Sequence, residues 1–383
     1  VGFHGHEEIG RPFDFHVSVV SKRHDIDADE LLHKPMSVSL RHNGEAVRHF
    51  HGLVHSFARS GKAGAQRLSR YDIQLVPGMW FMGQTADCRI FEEMSTTDIV
   101  RKLAQEAGIQ APVFRLQNTH KVRPYTTQYN ESDLAFATRL LQEEGAYYFF
   151  EHTESAHDWI IADHNGAFKA QPGKSLRFDA HHHDDEILTD WRRWSATVAG
   201  KSKLIDYDPE KPNDPVEGEQ ATVLKADGTS SRDVTHWPAL TYDVAGARSR
   251  ARFRLEAEEA WVATVQGGGR NRAFVPGTTF TLAEDPLDGS KGKKFGIQSV
   301  THDAFDETVV SGPGAQTGYT NHFNAFPEAT PWRDRMSMPK PRMEGVHAAV
   351  VLGNEHDVHV DKMGRIKVRF FWDHKKDADM DHA

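Results

Sequence analysis

The chain of 383 residues contains a single cysteine, Cys88. One thiol excludes an internal disulfide and is compatible with a reducing compartment. Cys88 sits between Asp87 and Arg89 on a predicted strand, a setting that suits an inert structural thiol. Long apolar runs are also absent. None approaches the roughly 20 residues needed to cross a bilayer, so stable membrane insertion is not expected. The N-terminal VGFHGHEEIGRPF lacks a basic region followed by an apolar stretch, so no signal peptide is expected. Val1 is not an initiator methionine, and a short preceding piece is expected. Finally, the formal charge is −9 and no block of lysine or arginine occurs. Phosphate contacts need a concentrated basic surface, so a nucleic-acid partner is disfavoured.

What the chain does contain is enough apolar material for cores. Hydrophobic residues make up 38% and aromatics 10%, which argues against disorder. The length exceeds what one core usually serves, so several domains are expected. Histidine is abundant, at 24 residues. Protonating all of them would carry the formal charge from −9 to −9 + 24 = +15, so acid is expected to alter assembly or solubility.

Motifs for bond chemistry are missing. There is no G-x-S-x-G, no H-E-x-x-H and no P-loop; GSKGKK at Gly289–Lys294 lacks the preceding apolar strand and the following Ser or Thr that phosphate binding requires. GGGR at Gly267–Arg270 lacks dinucleotide-binding spacing and reads as a flexible turn. The strongest metal candidate is His181-His182-His183-Asp184-Asp185, followed by Glu186. Successive strand residues point to opposite faces, so at most two of these histidines could share an ion, and a solvated polar loop is the simpler reading. His4 and His6, ahead of Glu7 and Glu8, form a weaker candidate. Glu143 and Glu144 fit a helix surface better than an opposed catalytic pair. No catalytic, cofactor-binding or metal residue is therefore assigned.

In order along the chain, residues 1–90 read as a first β-barrel domain, with Phe13, Phe15, Val17 and Val19 in the period-two pattern of a half-buried strand. Residues 91–200 read as an α+β region. In it Ser95 and Asp98 resemble a capping box ahead of Ile99, Val100, Leu103 and Ala104, and Gly108 closes the helix. Residues 201–330 read as a second barrel domain. Pro209, Pro212 and Pro215 exclude regular structure between Asp206 and Pro215, and a long helix runs from Val244 to about Ala260. Its expected buried face is Val244, Ala247, Ala251 and Leu255. Arg248, Arg250, Arg252 and Arg254 are either a solvated surface or a row at a subunit interface. PMSVSL (35–40) with FHGLVHS (50–56) parallels GTTFTL (277–282) with FGIQSV (295–300), suggesting duplication of one barrel. Residues 331–345 are proline-rich and read as a linker. Strands are expected at Val346–Leu352 and His356–Val360, with a turn at Asp361–Gly364. The alternating Ile366, Val368, Phe370 and Trp372 then end in what looks like an incomplete small barrel over 346–383.

The most informative stretch is Gln128–Glu151, QYNESDLAFATRLLQEEGAYYFFE. Asn130 or Ser132 can cap a helix whose face is Leu134, Ala137, Leu140 and Leu141. Gly145 supplies a left-handed stop, and Tyr147–Phe150 reads as a strand buried on both faces, pairing with Trp159–Ala162. This helix–strand unit, residues 130–151, resembles a signature of the VgrG family, the type VI secretion spike proteins related to contractile-phage tail hubs and tail lysozymes. The similarity runs in order through EEIGRPFDFHVSVVS, HKPMSVSL, FHGLVHSF, YDIQLVPGMWFM, DCRIFEEMSTTDIVRKL, LIDYDPEKP and VPGTTFTL. It ends at HVDKMGRIKVRFFWDH, which is similar to the family's entry into an OB-fold. The helix 244–260 and the HHHDDE loop match only loosely.

The resemblance implies a mainly β fold with α+β insertions: two related β-barrel-like hub domains, an inserted α+β region and an incomplete OB-fold. It implies a homotrimer at the tip of a secretion tube, docked on an Hcp ring and contacting baseplate proteins. A PAAR-type tip protein, adaptors or effectors would be carried through a missing C-terminal region. The chain would be cytoplasmic on assembly, then secreted through the apparatus, and would puncture target cells mechanically with no cofactor. Two alternatives stay open. One is the baseplate hub of a prophage or other contractile particle. The other is an enzyme, either metal-dependent through its histidines or the front part of a spike with a C-terminal effector.

Overall fold

A computed structural model describes residues 1–373 apart from 43, 64–67, 172–174, 180, 182–186, 225–230, 242, 285–288, 313 and 355–356. The chain divides into two compact units. The larger comprises residues 1–78, 112–118 and 142–336; the smaller comprises 79–111, 119–141 and 337–383.

The larger unit begins with β1 (Gly2–Glu8), β2 (Asp14–Ser21), β3 (Pro35–His42), β4 (Glu45–Ala63) and β5 (Leu68–Val76). Alternation selects their inward face. Phe13, Phe15 and Val17 are buried, as are Tyr71, Ile73 and Leu75. Phe3 packs 4.6 Å from Phe50 and Phe13 stacks 4.5 Å from Phe15, centroid to centroid. Each such ring contributes on the order of 1.5–3 kcal/mol by leaving water.

The smaller unit supplies β6 (Ala86–Ser95) and α1 (Thr96–Glu106). Ser95 caps α1 by accepting from the Asp98 amide, and Ile99, Val100, Leu103 and Ala104 form its buried face, all as the sequence predicts. After β7 (Val113–Arg115) of the larger unit comes β8 (Val122–Ser132), antiparallel to β6. Of the two caps expected for the next helix, Asn130 and Ser132, only Ser132 serves, because Asn130 still lies within β8. The register shifts between Asp87 and Arg89, where Asn130 takes φ +47° and the Cys88 thiol donates to its Oδ1 at 3.2 Å. Ser132 is the cap, accepting from the Ala135 amide, and α2 (Asp133–Glu143) follows. Arg89 ties this unit together through Glu106, Asp133 and Gln128.

Gly145 has φ +70°, and a Cβ there would meet the Phe253 ring at 2.7 Å, so both backbone and packing demand glycine. β9 (Tyr147–His152) and β10 (His157–Ala162) then pair antiparallel, with Tyr147–Phe150 buried throughout. Next come β11 (Lys169–Ala170), β12 (Leu176–Phe178) and β13 (Ile187–Ser195). A small sheet follows, of β14 (Lys201–Asp206), β15 (Val216–Ala221) and β16 (Asp233–His236), ordered β15-β14-β16. It is covered by α3 (Val244–Val262) through Leu204, Val216, Ala239, Ala247 and Ala251. Val244 is exposed, contrary to the expected face: it begins the helix just after the Asp243 cap. The arginines divide. Arg248 is exposed, Arg250 donates to the Ala239 carbonyl, and Arg252 lies 3.7 Å from Glu256.

β17 (Ala263–Gly269), β18 (Thr278–Glu284), β19 (Lys294–Asp306) and β20 (Thr317–Pro327) complete the main sheet. Its order is β11-β18-β12-β13-β17-β20-β19-β1-β2-β5-β4-β3, with β18 also pairing β19. That extra pairing closes β18, β12, β13, β17, β20 and β19 into a barrel around Trp191, Phe274, Phe280, Phe295 and Phe323. β1, β2, β5, β4 and β3 continue from β19 as an open second arc. The two similar sequence segments are both antiparallel pairs, β3 with β4 and β18 with β19. The flexible turn expected at Gly267–Arg270 is instead buried strand as far as Gly269, with Arg270 exposed beyond it. Gly267 is paired on both sides, and a Cβ there would clash with the Phe323 ring, so this glycine makes room for a core ring.

The expected linker begins too early. Trp332, Arg333 and Asp334 are buried in the larger unit. In the smaller unit, β21 (Ala349–Val351) pairs antiparallel with β24 (Val368–Phe370), and β22 (Gly353–Asn354) pairs with β23 (Asp357–Val358). The Asp361 carboxylate accepts from the Met363 and Arg365 amides, forming the predicted turn. The strands are shorter than the alternation suggests, and His356 lies outside the described residues.

Candidate functional site

A buried set of ionisable groups lies inside the larger unit, where β1, β4, β9 and β19 meet. Strand alternation points Phe3, Gly5 and Glu7 inward and His4, His6 and Glu8 outward, which separates the residues that the sequence groups together. His4 pairs with Asp303 at the surface, and His6 Nδ1 lies 3.1 Å from Thr301 Oγ1. Glu7 is only 4% exposed. Its Oε2 accepts from Arg48 Nη2 at 2.6 Å and lies 2.9 Å from His302 Nε2; its Oε1 lies 3.2 Å from His152 Nε2. Arg48 also donates to the Phe274 carbonyl and stacks over the Phe50 ring. His302 Nδ1 reaches the Tyr319 hydroxyl at 2.8 Å, and Asn321 Nδ2 donates to that hydroxyl at 3.1 Å.

A histidine relay lies beside this group. The Gly78 amide donates to His157 Nε2 at 3.0 Å, so the ring proton of neutral His157 resides on Nδ1. That proton is donated to His51 Nδ1, 2.9 Å away. His152 Nδ1 lies 3.2 Å from the His51 amide nitrogen and 3.1 Å from its carbonyl oxygen.

Burial alone would raise the Glu7 pKa, but the Arg48 charge and the His152 and His302 imidazoles outweigh it and hold the carboxyl well below its usual range. Burial pushes the histidines the other way. His157 falls to about 3, through burial and the neighbouring His152 and His51, and His51 and His302 are lowered chiefly by burial. Groups whose pKa is lowered by folding contribute stability above their unfolded pKa and lose it as pH falls. Asp334, raised to about 6 mainly by burial, acts oppositely. Three histidines and Glu7 outnumber it. The urea midpoint is therefore expected to be flat near neutrality and to fall as pH drops from 6.5 toward 4. A midpoint that rises on acidification contradicts this assignment of the buried groups.

The arrangement is a cross-brace between strands distant in sequence. Its composition is that of acid–base machinery, but its carboxylate is enclosed and already engaged by a guanidinium and two imidazoles. Sequence reasoning missed Arg48, His152 and His302. The available signal was Glu7 itself, a charge at an inward position of an alternating strand.

The remaining candidates lie apart. His181 donates its amide to Asp179 Oδ1, and the rest of the His181–Glu186 run lies outside the described residues. Among the described residues, no group of three or more His, Cys, Asp or Glu side chains could hold a metal ion. Glu143 lies 3.9 Å from Arg250. Gly289–Lys294 leads into the start of β19, with the Lys293 amide donating to the Ser290 carbonyl. No described helix is long and apolar enough to cross a membrane.

The larger unit thus combines a closed barrel with an adjoining open arc, braced by buried ion pairs between strands distant in sequence. The chain belongs to the phage tail baseplate hub (GPD) family, which it matches over residues 6–308. It is 31% identical over 396 residues to the type VI secretion system spike protein VgrG4b of Pseudomonas aeruginosa, covering 98% of this chain and 48% of that one. It is 28% identical over 376 residues to VgrG1b of the same organism, covering 96% and 50%. The chain thus spans about half the length of these curated relatives. The fold is also that of the E. coli c3393 protein, described as a type VI secretion component with structural similarity to the T4 tail proteins gp27 and gp5. That comparison has a TM-score of 0.69 at 22% identity, covering 96% of this chain and 84% of that one.

Proposed function

We propose that this chain is the hub segment of a type VI secretion spike, working mechanically as a homotrimer that docks on an Hcp tube ring and delivers effectors by puncturing target cells. The observation that carries the reading is similarity along nearly the whole chain to two proteins described as type VI secretion spikes. In this proposal the barrel and the open arc of each chain are the two related hub domains, which give a threefold assembly a pseudo-sixfold face. The strands from Ala349 to Phe370 belong to an OB-type domain. Baseplate proteins contact the hub, whereas a PAAR-type tip protein, adaptors and effectors engage the spike further along. The protein assembles in the cytoplasm and leaves through the apparatus. Catalysis, cofactors and metals have no part in this work. Closed cyclic assembly suits a β-rich hub, because neighbours cover its edges.

Light scattering at neutral pH tests the reading. The expected mass is about three times 43.2 kDa. A protein that stays monomeric with its full-length spike sequence attached rejects it. The family description itself favours one further reading, the baseplate hub of a prophage particle. Co-purification with tail-tube protein encoded beside the gene, and not with Hcp, would select that alternative.

A further inference from the structure

The small sheet and α3 carry two surfaces of complementary chemistry. One is the loop after β16 with the adjoining face of α3. Trp237 is 64% exposed and Leu240 44%, so two large apolar side chains stand in water. Leu240 has φ +58°, a backbone conformation that leucine adopts only where its surroundings impose it. Three hydrogen bonds impose it here. The Leu240 amide donates to Asp206 Oδ2 at 2.6 Å, the Ala239 amide to the Ile205 carbonyl, and Arg250 to the Ala239 carbonyl. The loop is therefore held in place while it presents its apolar groups outward. One turn along α3 from Arg250, Arg254 is half-buried and enters no hydrogen bond or ion pair among the described residues. Burial and then the Arg250 charge lower its pKa, against a smaller opposing pull from Glu143. Burial and Arg254 in turn lower that of His236. A guanidinium drawn out of water without a counter-ion is costly unless a carboxylate comes from elsewhere.

The second surface is the connection 206–215 between β14 and β15, exposed throughout 209–215. Asp206 and Asp208 are engaged by backbone amides. Glu210 and Asp214 enter no ion pair among the described residues, and Lys211 is the one base in the loop. Tyr207, Pro209 and Pro212 add exposed apolar surface to these free carboxylates.

We propose that the two surfaces are the halves of one contact between neighbouring copies. Loop 206–215 of one copy lies against Trp237 and Leu240 of the next, and its Glu210 and Asp214 supply the counter-charge for Arg254. The contact rests on the trimeric reading above and names the surface through which the copies associate. Charge meets opposite charge, and apolar groups meet apolar groups, among them a tryptophan and an arginine, the residue types that most often dominate interfaces. Two different patches of one chain make a head-to-tail contact, which repeats from copy to copy until a ring closes.

The test is light scattering of the whole chain over a dilution series. Wild type is expected to form trimers. The concentration needed should rise at least about tenfold in Arg254→Glu, and equally in the double variant Glu210→Arg, Asp214→Arg. A chain carrying all three changes should recover the wild-type value. The loop variant alters only exposed side chains, so it keeps the test decisive if Arg254→Glu misfolds. Trimers that ignore the loop reversal overturn the contact and leave the hub reading intact. A wild-type mass of two chains overturns both. If the chain alone is monomeric, Asp214→Cys and Arg254→Cys are combined with Cys88→Ser in the full-length spike, and the thiols are bridged by a bis-maleimide. Covalent dimers and trimers on a denaturing gel support the contact, whereas a trimeric spike that yields none overturns it. A full-length spike that is itself monomeric rejects the hub reading and this contact with it.

Discussion

Replacing Arg48 by methionine is expected to cost about 3–5 kcal/mol of stability, read from urea denaturation near neutral pH. The guanidinium is buried, donates to Glu7 at 2.6 Å and stacks over Phe50. Methionine fills much of the same volume and retains the apolar contact. What it leaves behind is a carboxylate in the core without its cation, and that uncompensated charge accounts for the loss. Its Glu7 pKa should consequently rise, moving acid sensitivity toward neutrality. Removing both charges together, with Glu7→Leu added to Arg48→Met, should recover much of the lost stability, because apolar replacement of an entire buried pair is often nearly neutral. A single variant costing under about 1 kcal/mol would mean that the pair is solvated in solution and braces nothing.

Trp332→Ala is expected to cost about 3–5 kcal/mol, the usual range for emptying a large aromatic site in a core. Trp332 is fully buried, its ring 4.6 Å from Phe326 and 5.7 Å from Trp261. Its amide donates to Asn165 Oδ1 at 2.8 Å, and the neighbouring Arg333 binds Glu256 and the carbonyls of Gly145 and Asp163. The indole nitrogen has no hydrogen-bond partner among the described residues. Phenylalanine at 332 should therefore be tolerated far better than alanine, since only volume is lost. An alanine variant with an unchanged unfolding midpoint would show that this segment leaves the core in solution, as a linker would.

The contrast between these two sites and the rest of the chain follows the range of the interactions. Features governed by near neighbours were legible. Ser95 caps α1, Gly145 ends the helix before a doubly buried Tyr147–Phe150, and Phe13, Phe15 and Val17 alternate into the first arc. Cap geometry, left-handed glycine and strand period depend on a few adjacent residues, so the sequence displays them directly. The family signature lay in the same stretch.

Other features were decided only when distant segments met. Pro-rich surroundings made Trp332 look like linker, yet Phe326 and Asn165 draw it into the core. Three glycines looked like a turn until Phe323 required the space above Gly267. Glu7 found its partners 41 and 295 positions away, at Arg48 and His302. Periodicity can say that a residue faces inward, but not which charge awaits it there. That choice is made by strand order and register, because desolvation penalises every ionised group that the sheet does not bring to a partner.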